Sequence, residues 1–586
     1  MSPRTTTLQL GFGLGHVFLQ AWHDWRSRTA LPAPPARLDF IAIASALPEA
    51  EALRRAHHGT ALQPLADALA AQWPVGTRNL HRLGFDAGRV QLLLAPGEAL
   101  QWLPQLRARV DHILIDDAPP AADPRPASHW LCKGLARLAA PGAELRAKAA
   151  SPMLAGALVS AGFELLEEAA GLRAVYRPRF TPRERGRAMA APGERHVLIV
   201  GAGLAGCALA AALAEQGWRS TLIDAAAAPA TQGSGNPAGL FHGVVNPQDG
   251  VHARFNRAAA LQAQSAVQLA LNTGMVQGSV QGLLRLETSG KSAAQMQSEL
   301  QSLQLPPDYV QALDAARASA LGGLPLAHPA WFYPGGGWVQ PWALARASLH
   351  RAGAAAQFRG GLHVASRRRR AGRWQLLDAA DDVIVAAETV VLANAFDALR
   401  LLQATHWPVR PVRGQISTCA DSLLRLPRLP LAGEGYLLPS VDGSAIFGAS
   451  SQADDDDAQP RVADHVFNLE RLARLSAQSL PAPWQLRARV GWRCVAHDRL
   501  PLVGAVPDEV IRADAAHERL AALPRRPGLY VLSGLGSRGI AWSELSAQLL
   551  AAQISGAPLP LEAALVDALD PARFVLRQRR AQRSGR

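Results

Sequence analysis

The sequence predicts two α/β domains in series, and three observations carry that prediction. Short apolar runs alternate with amphipathic stretches up to about residue 180, a polar stretch rich in helix breakers follows at 181–194, and a strand–glycine–helix pattern opens at His196. The 586 residues also exceed what a single hydrophobic core usually serves. With 49% apolar and 18% charged residues, the composition suits globular domains and excludes general disorder.

Within residues 1–180, the runs 38–43, 90–94 and 112–115 read as buried strands. Residues 181–194 place Pro182, Pro192 and Gly193 among Arg183, Arg185 and Arg187, which reads as a linker and leaves 195–586 for the second domain. There His196–Val200 predicts a buried strand, 204–217 a helix closing at Gly217, and 220–223 a second strand ending at Asp224. Later strands at 389–392, 445–447 and 529–532, with a helix at 543–554, indicate a large composite domain without internal repeats.

The 60 Lys and Arg against 47 Asp and Glu give a net charge of +13, which fits an acidic partner such as nucleic acid as well as a mere compositional bias. The basic run Arg367 to Arg370 and the tail arginines Arg577, Arg579, Arg580, Arg583 and Arg586 belong to a class of sequence that is more often solvated surface than binding site. Cys132, Cys207, Cys419 and Cys494 form no CxxC pair and no metal-like spacing, so no metal is expected and a reducing cytoplasm fits best. Residues 197–214 lack charges over a membrane-like length, but Gly201, Gly203 and Gly206 punctuate them as strand, turn and helix. No membrane span is expected, and the start of the chain lacks the ordered parts of a secretion signal.

Gly201-Ala-Gly203-Leu-Ala-Gly206 lies between strand and helix, with Asp224 near the distance of an acidic ribose ligand. Gly201 permits the tight turn, Gly203 lets the backbone approach a pyrophosphate, and Gly206 lets helix pack on strand; the helix N-terminus offers N–H groups to phosphate. This motif alone does not separate NAD from FAD.

Further phrases make that choice. Gly233-Ser-Gly-Asn-Pro-Ala-Gly239, Pro334-Gly-Gly-Gly-Trp338, Val412-Arg-Gly-Gln415, Gly448-Ala-Ser450, Gly491-Trp-Arg493, Asp498-Arg-Leu-Pro-Leu-Val-Gly504 and Gly534-Leu-Gly-Ser-Arg-Gly539 run through nearly all of the second domain. In that order they resemble the FAD-dependent oxidases of the D-amino-acid and glycine oxidase superfamily, and more closely the bifunctional tRNA 5-methylaminomethyl-2-thiouridine biosynthesis family. The resemblance implies a Rossmann FAD-binding domain with an inserted mixed-sheet substrate domain. Asp224 would hold the adenosine ribose, and the loop of Gly233, Ser234, Gly235 and Asn236 would approach phosphate or flavin through its backbone. Gly534, Gly536, Ser537 and Gly539, followed by a helix, would aim an N-terminal dipole at the flavin pyrimidine ring.

Arg493 is the candidate for the substrate carboxylate, because the guanidinium fork matches that group, and Arg538 would assist at flavin or substrate. The sequence offers no evident general base. By resemblance the substrate is tRNA, met at the anticodon, with carboxymethylaminomethyl-2-thiouridine at the wobble position. Oxidation of the C–N bond to an imine, then hydrolysis, would release glyoxylate. Two rivals stay open: a free glycine- or sarcosine-type oxidase with a scaffold N-terminal domain, and a silent tRNA-binding protein that keeps flavin for stability.

In the first domain, Leu8-Gln-Leu-Gly11-Phe-Gly13-Leu-Gly15 resembles the first motif of an S-adenosylmethionine-dependent methyltransferase, the activity that family fuses to its oxidase. Trp73-Pro74, His81-Arg82, Gly97-Glu98, 111–116 and Pro141-Gly142 follow in the family's order. The resemblance places Glu98 near the adenine and makes Asp116 the active-site aspartate. The departures are specific. The chain begins almost at its glycine motif, without the family's leading segment, and no acid follows the second strand at Ser45-Ala46. Asp117 and Ala118 replace a Gly-Phe pair, and Glu164, Glu167 and Glu168 stand where the family is basic. These predict weak or absent methyl transfer.

Overall fold

The computed structural model describes residues 4–29, 37–116, 124–149, 151–167, 171–179, 193–509 and 519–584. Nearly all of the expected linker at 181–194 lies outside them, as do Asp117, Ala118 and Glu168. Two compact units form: Met1–Arg185 joined by Ala552–Val566, and Gly186–Ala551 joined by Asp567–Arg586. The return of residues 552–566 to the first unit has no signal in the local sequence; there Leu559 N–H donates to the Arg107 carbonyl at 2.9 Å.

The first unit is built on an eight-stranded sheet ordered His81–Phe85, Val90–Pro96, Arg37–Ala44, Arg4–Leu10, Val110–Ile115, Ala139–Ala147, Leu172–Tyr176 and Phe163–Leu166. Val90–Pro96 through Ala139–Ala147 run parallel, and the outer strands are antiparallel. The three expected strands fall within it, each extended by one to two residues at an end. Arg37–Ala44 is buried at every position, which is why it reads as a continuous apolar run instead of an alternating one. The chain leaves Arg4–Leu10 for a neighbour on one side and Val110–Ile115 on the other, so a crevice opens beyond the carboxyl end of the first strand, where Gly11 follows.

The second unit repeats that logic in a six-stranded sheet: Ala356–Arg359, Arg219–Ile223, His196–Val200, Thr389–Leu392, Arg525–Ser533 and Leu502–Pro507. All but the last are parallel. The helix Leu204–Glu215 is buried on nearly every side because its sequence is almost all Ala, Leu, Gly and Cys. Gly217, at φ +73°, closes it, and the Trp218 N–H returns to the Leu213 carbonyl at 2.9 Å.

The second unit also contains a nine-stranded mixed sheet, whose strands are inserted in the sequence among those of the six-stranded sheet. Its longest strand, Val409–Ala420, pairs antiparallel with Arg487–Ala496, setting Val412 opposite Arg493 and Gly414 opposite Gly491. Strand alternation then divides the faces. Arg413, Gln415 and Ser417 turn to the helix Val462–Leu475, where Asp464, His465 and Asn468 meet them through hydrogen bonds. Val412, Gly414 and Arg493 share the opposite face.

The basic run Arg367 to Arg370 is a strand, Ser366–Arg370, paired with Arg373–Leu377. Arg368, Arg369 and Arg370 are exposed, while Arg367 lies over the Trp374 ring at 5.0 Å. Among the described residues no helix is long and apolar enough to cross a membrane.

Candidate active site

Three glycine segments distant in sequence meet at the start of the helix Leu204–Glu215. Gly201 adopts φ +103°, and a Cβ there would stand 2.7 Å from the Ala393 carbonyl of the adjacent strand's exit. A Cβ on Gly206 would lie 1.9 Å from the Gly201 oxygen, so the helix can press on the turn only as glycine. Gly203 faces the second segment: the Ser234 hydroxyl accepts the Leu204 N–H at 3.0 Å, at the helix N-terminus. The third segment closes in where a Cβ on Gly539 would meet the Leu204 side chain at 3.4 Å, and one on Gly239 the Ile540 side chain at 2.8 Å. Gly534 and Gly536 take φ +73° and +55° and lead into the helix Gly539–Ser555, with Ser537 exposed just after Gly536.

Asp224 ends the strand Arg219–Ile223 with its carboxylate turned into this cradle, accepting the Ala202 N–H at 2.7 Å and the Ala226 N–H at 2.9 Å. Each oxygen keeps a second lone pair for a hydroxyl donor. Gly235 is pressed by Arg489, which donates to the Thr231 and Gln232 carbonyls, and Asn236 follows half-buried. Glycine backbones and an N-terminal helix dipole converging with an acid at a topological switch point fit a dinucleotide cofactor.

Arg493 stands beside that cradle, since the carbonyl of its neighbour Trp492 lies 2.9 Å from where a Gly233 Cβ would be. Its guanidinium donates to the Ser450 carbonyl at 3.1 Å and has no carboxylate partner among the described residues. Burial, partly offset by Tyr436 and reinforced by Arg471, holds its pKa below the usual guanidinium value. Burial pushes the Tyr436 phenol up to about 12, against a smaller opposing effect of Arg493. Arg538 has other neighbours: Arg285, Tyr309 and Tyr333 act on its charge, and it acts on His242. Burial, then the charges of Arg538 and Arg285, push His242 down to about 3, so its imidazole is neutral. The His242 and Tyr333 rings are 5.2 Å apart.

The structure thus gathers Gly201, Gly203, Gly206, Asp224, Ser234 and Gly539 in one place, and gives Arg493 and Arg538 different charged neighbours. Sequence reading missed Tyr436, Arg471, His242 and Arg285. One signal was available: the chain has five tyrosines, and Tyr309, Tyr333 and Tyr436 are three of them.

In the first unit, Gly11, Gly13 and Gly15 take φ of +89°, +53° and +76° at the sheet's switch point. Asp116 ends the strand Val110–Ile115 and is held by Gln9 Nε2 and by Lys148 Nζ at 2.8 Å. The buried Gln9 Oε1 has no hydrogen-bond partner among the described residues, an acceptor left over for a ligand donor. Glu98 is exposed with no side-chain cap bond, and the Gly97 N–H ties its loop to the Ala44 carbonyl at 2.7 Å. Asp39, the acid of the second strand, is buried mid-strand against Arg4 and is no ribose ligand. These groups fit S-adenosylmethionine at its methionine end, and the residues that follow the strand Arg37–Ala44, Ser45 and Ala46, bring no acid for its ribose.

Fold and site together define a two-domain enzyme, a methyltransferase domain joined to a flavin oxidoreductase. The FAD dependent oxidoreductase family matches residues 196–553, and the S-adenosyl-L-methionine-dependent methyltransferase family matches 60–173. Along nearly its whole length the chain is similar to bifunctional proteins of one kind. It is 45% identical to the "tRNA 5-methylaminomethyl-2-thiouridine biosynthesis bifunctional protein MnmC" of Methylibium petroleiphilum, over 98% of this chain and 90% of that one. With the protein of the same name from Paraburkholderia phytofirmans it shares 38% identity over 98% and 90%. The chain belongs to this bifunctional family. In fold, the L-proline dehydrogenase of P. horikoshii aligns with 66% of this chain and 98% of its own at 15% identity and a TM-score of 0.51.

Proposed function

We propose that the protein modifies the wobble uridine of tRNA in the cytoplasm, removing the carboxymethyl group of 5-carboxymethylaminomethyl-2-thiouridine to leave the 5-aminomethyl form. Methylation of that amine at the first domain would complete 5-methylaminomethyl-2-thiouridine. The observation that carries the oxidase reading is Arg493: a buried guanidinium with no acid to neutralise it among the described residues, next in the chain to the Trp492 carbonyl that meets the Gly233 turn.

FAD, when bound, supplies the two-electron acceptor for oxidation of the C–N bond. Asp224 receives the ribose hydroxyls, and the turn Gly201 to Gly206 with Ser234 receives the pyrophosphate. Arg493 and Tyr436 hold the glycine-derived carboxylate, which fixes the secondary amine in place. His242, neutral, adds no positive charge to the Arg538 and Arg285 enclosure. The secondary amine loses a hydride and a proton to become an imine, and water divides the imine into glyoxylate and the primary amine. In the first unit, Asp116 orients the amine that attacks the methyl group, and Lys148 and Gln9 hold its carboxylate.

Mass spectrometry of wobble nucleosides from cells lacking the protein tests this. Accumulated 5-carboxymethylaminomethyl-2-thiouridine is expected, and unchanged nucleosides would sink the proposal. Glyoxylate formed from modified tRNA, with none from glycine or sarcosine, separates it from a free amino-acid oxidase.

A further inference from the structure

The helix Val462–Leu475 brings a second guanidinium to the Arg493 enclosure. Arg471 donates from Nη1 to the Ala449 carbonyl at 3.2 Å, and Arg493 donates to the next carbonyl, Ser450, at 3.1 Å. Neither arginine has a carboxylate partner among the described residues. Two cations are therefore anchored on consecutive peptide groups, close enough that Arg471 lowers the pKa of Arg493. The arrangement is sterically set: a Cβ on Gly435 would lie 3.2 Å from the Arg471 Cβ, and one on Gly414 would lie 2.4 Å from Arg493 Nη1. An isolated carboxylate would need only the inner guanidinium.

One turn before Arg471, its guanidinium carbon lies 4.3 Å from the centroid of the Phe467 ring. Phe467 is 37% exposed, and Val462 and Val466 of the same helix are exposed too. A phenyl ring stacked with a guanidinium and open to solvent is the kind of platform on which unstacked nucleobases rest.

We infer that Phe467 and Arg471 form a stacking subsite for the pyrimidine base whose carboxylate arm reaches Arg493. The inference rests on the proposed tRNA substrate and makes this pair the feature that favours a nucleotide over a free amino acid. The arm of such a base runs over four single bonds from ring carbon to carboxylate carbon, about 5 Å when extended. With the carboxylate on Arg493, the base falls within reach of the neighbouring guanidinium. With Arg493 taken by the carboxylate, Arg471 is left as the unneutralised cation for the negative phosphodiester chain beyond the base.

The test uses the full-length holoenzyme and an anticodon stem-loop RNA carrying 5-carboxymethylaminomethyl-2-thiouridine at the wobble position. Glyoxylate release gives KM and kcat, and filter binding of the same stem-loop with plain uridine gives Kd without any chemistry. Phe467→Ala is expected to raise both KM and Kd about 5- to 150-fold, with the larger effect on KM than on kcat. Phe467→Trp, which keeps a larger π-face, should restore both, and Arg471→Met should weaken both. Values for Phe467→Ala and Arg471→Met within about twofold of wild type would overturn the subsite, twofold being below the smallest stacking effect. If the wild type released no glyoxylate from the modified stem-loop, the proposed function would fail, and the plain-uridine Kd would still decide the stacking.

Discussion

The guanidinium of Arg493 fills the space in front of Gly414. A Cβ at Gly414 would stand 2.4 Å from Nη1 and 2.7 Å from Cζ. The register explains it: Gly414 and Val412 share a face of the strand Val409–Ala420, and Val412 pairs with Arg493. The glycine of Val412-Arg-Gly-Gln415 is thus the seat of the arginine.

Gly414→Ala should displace the guanidinium while leaving the backbone of the glycine cradle, which it does not touch, intact. Losing a charge-assisted bond to the substrate carboxylate predicts a rise in KM of about ten- to a hundredfold, with FAD still bound. Steady-state glyoxylate release and the flavin absorbance check this; an unchanged KM would mean that the carboxylate binds elsewhere.

On the reverse face of the same strand, Arg413 and Asp464 form a buried ion pair at 2.6 Å, with side-chain exposures of 0% and 4%. Arg413→Met leaves the carboxylate buried without its partner and should cost about 3–5 kcal/mol in chemical denaturation, and replacing both members should recover part of it. Burial works to raise the Asp464 pKa, but hydrogen bonds from Arg413, Gln452 and Ser450 overcome it and hold the carboxyl below its usual value. A depressed folded-state pKa gives stability that is present above the unfolded value of about 3.9 and lost as pH falls through the folded one. Denaturation midpoints should therefore fall below about pH 4 with a shallower slope in the double variant.

His242 is a base where Asp464 is an acid, and the direction of its pH effect is the same. Its folded pKa is about 3, so between that value and about 6.5 the unfolded chain binds more protons and stability declines as pH falls. The imidazole resonances should stay constant from about pH 8 to about pH 5. A midpoint near 6.5 would show a solvated ring and an enclosure open to water.

For the first domain, the missing acid after the strand Arg37–Ala44 predicts S-adenosylmethionine affinity weaker than micromolar. Ser45, exposed at that strand's end, is where the acid would stand. Ser45→Asp should tighten binding about 5- to 150-fold by calorimetry. The full chain is the proper sample, because residues 552–566 are part of this unit. Micromolar binding by the unaltered protein would defeat the weakened site.

Much of this protein was set by local sequence. The strand His196–Val200, the glycine turn and the helix after it follow from side-chain volume and backbone freedom within twenty residues, and so do the buried runs of the first sheet. The phrases around Arg493 and Arg538 named those arginines without showing what surrounds them. Tertiary structure alone decided that Gly203 meets Ser234, that Arg471 and Arg493 share the consecutive carbonyls of Ala449 and Ser450, and that Arg538 keeps company with His242. It also returned residues 552–566 to the first unit. The division has a physical cause: periodicity records which face of an element is buried, whereas the charge and reach of a site depend on which faces meet, and that is fixed by strand register and helix packing between distant segments.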